Sequence, residues 1–462
     1  MSQQVYLPSY SIGEDVYKRV PQICSNYGKT AIVIGGEISL SKVKDKLLIA
    51  MKGTDIKLLD FIWYGGNATR ENIERLKNMK TVQMADMIFA VGGGKSMDTC
   101  KALADMLKKP VFTFPTIASN CAPVTALCIL YGKDKVEFYD AQKPAIHCFI
   151  DTKIISNAPI KYLRAGIGDA LSKQYEVCFN TRGRILNHTN NLGVQIAKDC
   201  SERLLQYGVK ALDDAQKNIV SDEFIQTVLT IIVNTGLVSV LVNLNYNSSL
   251  AHSLYLASVK IPDCKGHMHG EIVSLGVLLL LLVDKQLIQA EKVYDFNQKL
   301  DLPTSLMDLG IKDVKQIIDL ILQDKYLSFA PYNITKEMIK EAIDILKNIG
   351  YDGIVYIPEA KDKNFAFKTK EDQLFWEREC YINSNVIVFW VPRKFPSMLG
   401  LTTNVEFGYW LKSKKCIYGR PDDSYRTDYL DWLYNLEYNK KPENSLDELL
   451  RQAVKMSEED KK

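Results

Sequence analysis

An aspartate and two histidines in this chain could hold a metal ion, and a glycine triplet upstream of them could hold a phosphate. Asp169 lies in AGIGDALSKQYE, at the start of what reads as a helical region. His252 and His269 stand seventeen residues apart within AHSLYLASVKIPDCKGHMHGE. Two neutral imidazoles and one carboxylate suit a borderline divalent ion and leave a fourth position open for water or substrate. A lone histidine on an apolar helix is more often a satisfied core or surface residue, so residue type alone leaves both readings open. The other three histidines, His147, His188 and His267, have no motif around them. The loop Val91-Gly92-Gly93-Gly94-Lys95 follows an apolar run and precedes the amphipathic segment Lys95–Met106. Glycines let the backbone turn sharply and approach a pyrophosphate, and a following helix offers free N–H groups at its positive end. Lys95 would add charge there. A tight strand–helix turn would use the same residues, and the spacing is not GxGxxG. Glu37, after an earlier strand and the pair Gly35-Gly36, could accept hydrogen bonds from a ribose or stand as a solvated loop acid. A metal ion and a dinucleotide in one protein would together serve hydride transfer at an alcohol carbon.

The elements that must position these residues change character twice. Residues 1–160 alternate short apolar runs with amphipathic stretches, the pattern of strand–helix units and a parallel sheet. Strands are expected at Thr30–Gly35, Met87–Val91, Val111–Phe114 and Cys148–Asp151. Over residues 161–347 strand signals vanish, and segments such as Phe224–Leu241 and Glu271–Lys285 show the wide apolar faces of a packed all-helical domain. Residues 348–440 return to alternating units. There Gly353–Pro358, Val386–Val391 and Cys416–Gly419 read as strands, and Lys370–Ile382 and Val405–Lys412 as helices. Residues 441–462 end in a polar helix and charged tail.

Bulk properties restrict the partners. The 462 residues are 47% hydrophobic and 24% charged, ordinary for a globular protein, and a formal net charge of +3 gives no reason to expect nucleic acid or membrane. The longest unbroken apolar run, Val277 to Val283, is too short to span a bilayer. Ten cysteines without a CxxC pair, and no signal-like amino terminus, point to reduced thiols in the cytoplasm.

With GGGKSMD, FPTIASNCAP, AGIGDAL and HGE in order, residues 5–347 resemble the glycerol dehydrogenase branch of the iron-containing alcohol dehydrogenase family. The resemblance implies a dehydroquinate synthase-like fold, with a dinucleotide domain facing an all-helical metal domain. It implies metal ligation by Asp169, His252 and His269, with zinc favoured over iron. It further implies NAD contacts from Glu37, Gly92, Gly93, Gly94, Lys95, Thr116, Ser119, Thr125, Leu127 and Tyr131, and weakly a homo-oligomer. The expected activity is hydride transfer between NAD and a small alcohol or polyol, the metal polarising the substrate oxygen. The branch has an aspartate for substrate hydroxyls where this chain has Cys121, a much poorer acceptor, and often a histidine where it has Tyr255. Both changes fall where substrate is selected. Basic residues that would hold a phosphate are not evident near these motifs, which ranks dehydroquinate synthase and glycerol-1-phosphate dehydrogenase low.

Residues 346–434, with GYDGIVYIPE, FWERE, NVIVFWVPR and LTTNVEFGYWLKSKKCIYGRP, resemble the nucleoside 2-deoxyribosyltransferase-like family. That resemblance implies a small α/β domain holding a nucleoside or nucleotide, with Glu406, at a helix start, as the glycosidic nucleophile. The strand and loop that open that family are replaced by a helix-like segment, Ile334–Leu346, and its aspartate before the second strand by Asn385. A cofactor-binding sensor without turnover is the third reading, suggested by Cys121.

Overall fold

The computed structural model describes residues 4–132, 136–264, 266–347, 356, 369–395 and 400–459. The chain divides into two compact units, Met1–Leu346 and Lys347–Lys462.

In the first unit, strands β1 (Ser9–Gly13), β2 (Thr30–Gly35), β3 (Lys57–Trp63), β4 (Met87–Gly92), β5 (Val111–Pro115) and β8 (His147–Asp151) form one parallel sheet. Its order is β1-β8-β5-β4-β2-β3. A separate antiparallel hairpin comprises β6 (Leu127–Tyr131) and β7 (Val136–Asp140). The central strands are unbroken apolar runs because helices cover both faces. On one face Val33, Phe89, Val91, Phe112, Phe114 and Phe149 share a core, with Phe114 and Phe149 stacked at 5.0 Å. On the other, Ile32, Ile34, Ile88 and Ala90 pack against Met97, Leu103 and Ile73. β2 and β4 are neighbours whose following connections leave in opposite directions, so their carboxyl ends mark the switch point where open parallel sheets bind ligands. The four expected strands are present at their residues, within one position at the ends. β1 and β3 were not anticipated: they are edge strands with half-exposed, mixed sequences, SYSIG and KLLDFIW, that carry no apolar run.

The edge strand β1 is tied on by a buried histidine. His147 Nδ1 lies 2.7 Å from Ser9 Oγ and Nε2 2.9 Å from Ser11 Oγ, on strands paired Ser9 with His147. A neutral ring satisfies both, one nitrogen accepting and the other donating. Burial, with the Arg19 charge behind it, depresses the pKa of His147 below its usual value. Between that depressed value and about 6.5 the unfolded chain therefore binds more protons, and stability falls as pH drops through the window. The melting temperature should fall less between pH 7 and pH 5 in a His147→Gln variant than in the wild type. Parallel pH profiles would contradict this.

Beyond β8 the described residues of this unit are helical. Asp222–Leu241 runs as one rod with a π turn at Thr230–Asn234. It is the one helix among the described residues long and apolar enough to cross a membrane; its polar residues interrupt every long apolar run, so counting unbroken runs misses it. Phe224, Val228, Ile231, Ile232 and Val238 are buried within the protein, as in a core helix. The helix His269–Val283 is buried at every position from Ile272 onward. Truncating a residue such as Leu278 on it would cost about 2–5 kcal/mol.

In the second unit, β9 (Ile387–Trp390) and β10 (Cys416–Gly419) pair in parallel. Helices Lys370–Asn383, Leu401–Trp410, Asp428–Tyr438 and Leu446–Glu459 accompany them. Phe389, Phe407, Tyr418 and Tyr434 form its core. The expected strand at Gly353–Pro358 lies outside the described residues, apart from Tyr356. Glu406 is not at a helix start: the helix begins at Leu401 after Gly400, whose φ of 56° supplies the left-handed cap. Two β-branched threonines in its first turn hid that start, and Glu406 sits in the second turn, away from the helix's positive end.

Candidate metal and dinucleotide site

Three helices bring the metal-type residues together. Ile160–Thr181 carries Asp169, Leu250–Ser258 carries His252, and His269 opens His269–Val283. The third helix lies close to the first at Gly270, where an added Cβ would fall 1.7 Å from the Ala165 carbonyl oxygen. It lies close to the second at Gly276, where a Cβ would fall 2.5 Å from Ala251 Cα. Only glycine permits these approaches, and the approaches bring the ligand atoms of Asp169, His252 and His269 within 4.8 Å of one another. His269 Nε2 stands 3.2 Å and His252 Nε2 3.8 Å from Asp169 Oδ1.

Behind them lies Glu176, which the sequence reading missed. Its carboxylate is fully buried. One oxygen accepts the backbone N–H groups of Ser249 at 2.6 Å and His252 at 3.0 Å, and the other faces His252 Nδ1 at 2.5 Å. This bond fixes the His252 proton on Nδ1 and turns the Nε2 lone pair toward Asp169, the arrangement that orients a metal-binding histidine. Burial opposes charge on His252, yet Glu176 and Asp169 raise its pKa. Burial likewise pushes the Asp169 carboxyl up, but His269, by charge and hydrogen bond, and His252 hold it down to about 2. Glu176 and Asp169 thus draw positive charge onto His252, and a divalent ion replaces such a proton directly. The donor set fits a metal. Spacing could have revealed Glu176, seven residues after Asp169 and hence on the same helical face.

At the switch point, Gly92 adopts φ 131°, and a Cβ there would lie 2.5 Å from Ser96 Oγ. Ser96 donates to the carbonyls of Val91 and Gly93, both at 2.9 Å, bracing the loop as it enters the helix Gly94–Leu107. Thr116 N–H donates to the Gly92 carbonyl at 3.0 Å, and its hydroxyl donates to Ser39 Oγ at 3.1 Å. Glu37 is the first residue of the helix after β2 and is exposed there. Ser119 is half-buried in the loop after β5. The glycine loop packs closely against the loop after β5: a Cβ at Gly93 would lie 2.6 Å from Ile117 Cδ1, and one at Gly94 2.6 Å from Asn120 Nδ2.

Thr125 is buried, its carbonyl and hydroxyl facing Lys101 Nζ at 3.1 and 3.2 Å; the Leu127 carbonyl accepts at 2.7 Å, and Asp98 pairs at 3.1 Å. Lys101, also missed from the sequence, therefore anchors the hairpin that carries Leu127 and Tyr131. The Lys95 ammonium sits 5.1 Å over the Tyr131 ring. Tyr131 hydrogen-bonds Tyr255, whose ring meets His269 edge-on at 4.1 Å. A continuous chain of side chains thus joins the glycine loop to the histidines. Cys121 is half-buried, its Sγ 3.8 Å from Ser239 Oγ.

A doubly wound sheet ending in an all-helical half is the fold of the metal-type alcohol dehydrogenases. Over 75% of this chain and 90% of the other, it matches the structure of glycerol dehydrogenase from Schizosaccharomyces pombe, with TM-score 0.67 and 23% identity. Sequence comparison is more specific. The family model for iron-containing alcohol dehydrogenase matches residues 8–152. The glycerol dehydrogenase of Thermotoga maritima is 35% identical over 262 residues, 54% of this chain and 70% of that one. That of Citrobacter freundii is 30% identical over 314 residues, 66% and 84%. The chain belongs to the iron-containing alcohol dehydrogenase family.

Proposed function

We propose that the protein is a metal-dependent oxidoreductase that moves a hydride between NAD and a small alcohol or polyol. The observation that carries this reading is the convergence of Asp169, His252 and His269, backed by Glu176, in a protein whose glycine loops stand at a sheet switch point. Asp169, His252 and His269 would hold the ion, with zinc the proposed one because two imidazoles and a carboxylate with an open position form a catalytic zinc set. When bound, the ion polarises the alcohol oxygen and NAD accepts the hydride. Glu176 keeps His252 in its ligating tautomer. Gly92, Gly93 and Gly94 admit the pyrophosphate, and Lys95 offers it charge. Glu37 would accept hydrogen bonds from a ribose, and Thr116 and Ser119 would face the cofactor from the opposing loop. Leu127 and Tyr131 form the hairpin wall that Lys101 holds through Thr125. Zinc-loaded protein should form NADH, read by its near-ultraviolet absorbance, with at least one member of a panel of glycerol, propane-1,2-diol, simple alcohols and hydroxy acids. Silence in both directions across the panel, with NAD still bound, would favour a sensor.

A second reading concerns the second unit alone. Glu406 hydrogen-bonds the Tyr381 hydroxyl and faces Glu377, and burial followed by the Glu377 charge raises its pKa. Paired carboxylates beside a tyrosine suit cleavage of a glycosidic bond, with Glu406 as nucleophile and a nucleoside or nucleotide as ligand. Release of free base from nucleosides, lost in Glu406→Gln, supports this activity; no release from purine or pyrimidine nucleosides removes it.

A further inference from the structure

Arg420 and Arg393, both in the second unit, differ in their partners. Arg420 is paired with Asp431, its Nε lying 3.0 Å from each carboxylate oxygen. Arg393 is 7% exposed, and among the described residues its partners are neutral oxygens only. Its Nη1 donates to the Arg426 carbonyl at 3.2 Å, and its Nη2 to the Gly400 carbonyl at 3.5 Å and to the Asn404 side-chain oxygen. Its Nε is buried and, among the described residues, has no hydrogen-bond partner. A buried N–H left without an acceptor is costly, the more so on a charged group, and a ligand that supplies the acceptor removes that cost.

The orphaned Nε lies where a helix begins. Leu401–Trp410 starts after Gly400 and no side chain caps it, so the N–H groups of its first turn stand free at its positive end. A Cβ built on Gly400 would lie 3.4 Å from Thr403 Oγ1 and 3.8 Å from Arg393 Nε. Both are ordinary contact distances, so the open side of Gly400 has room for a ligand atom between a hydroxyl and a guanidinium N–H. Helix N-termini with such donors take oxyanions. Two rings stand next to the same arginine. The Tyr425 N–H donates to the Arg393 carbonyl at 3.1 Å, and the Tyr425 ring lies 5.3 Å from that of Phe395. The Arg426 guanidinium sits 5.4 Å over Tyr425. Both rings are exposed, and exposed rings beside arginines suit stacking by a flat heterocycle.

We propose that the second unit binds a nucleoside monophosphate. Arg393 Nε, Thr403 Oγ1 and the first turn of Leu401–Trp410 hold the phosphate, and Phe395 and Tyr425 stack on the base. A guanidinium and free backbone N–H groups suit a phosphate better than an uncharged hydroxyl. This rests on the second reading above for the kind of ligand, and not for its cleavage at Glu406.

The test is calorimetric titration of the full chain with dCMP, dTMP and dGMP, with the matching nucleosides, and with inorganic phosphate. None of these carries the adenine of NAD. At least one monophosphate should bind at least about ten-fold tighter than its nucleoside, as expected for charge-assisted contacts. Thr403→Val, which removes the hydroxyl at nearly constant volume, should lower that ratio by about three- to ten-fold. Arg393→Gln should abolish the preference. Phe395→Ala should weaken a nucleoside and its monophosphate alike and leave their ratio unchanged. Base release measured on the same samples separates this inference from cleavage. A bound monophosphate without base release sustains the inference and sinks cleavage at Glu406. Base release with no preference for the phosphate does the reverse. Monophosphates that bind the wild type no tighter than their nucleosides, or no tighter than inorganic phosphate, would overturn it, and that result does not depend on any variant folding.

Discussion

Replacing His269 with alanine is expected to lower kcat/KM by about 10³-fold or more, because the ion that polarises the alcohol oxygen loses one of its three protein ligands. The fold should survive. His269 is the first residue of its helix and its side chain is 36% exposed, and the approach that seats this helix is made by Gly270 and the buried run beyond it. The Tyr255 ring would lose its neighbour at 4.1 Å, a small loss beside the core that remains. Turnover and thermal melting measured together distinguish the outcomes. A melting temperature near that of the wild type with activity gone supports ligation; activity retained within ten-fold would remove His269 from the site.

Glu176→Gln should weaken metal binding by about 10–100-fold without touching any ligand. The glutamine oxygen can still accept from the backbone N–H groups of Ser249 and His252, but its NH2 then faces His252 Nδ1. Two donors cannot share that contact, so His252 must move its proton to Nε2, the nitrogen that faces Asp169. Competition with a chromophoric chelator measures the affinity. Equal affinities in variant and wild type would show that Glu176 does not set the tautomer.

Much of this arrangement was readable from the sequence, for reasons that differ by element. Central strands such as Thr30–Gly35 are buried on both faces and so appear as unbroken apolar runs, whereas β3, half-exposed at the sheet edge, does not. The glycine triplet announced its loop because the backbone itself requires glycine at φ 131°. Asp169, His252 and His269 were named through motifs, since one hundred residues separate Asp169 from His269 and no local pattern shows them meeting. Glu176 escaped because a glutamate in a helical run reads as a solvated face, and only the packing of the helices removes it from water. Glu406 was placed at a helix start because the true start, after Gly400, lies in a threonine pair with weak helix preference.

The most direct test of the central claim is NADH formation before and after the metal is stripped and returned, with metal content measured on the same samples. The account predicts that activity disappears in the apoprotein and returns in proportion to one divalent ion per chain, and that His252→Ala neither retains the ion nor recovers. Full activity in protein holding less than one-tenth of an equivalent of metal, or unaltered turnover in the variant, would contradict it.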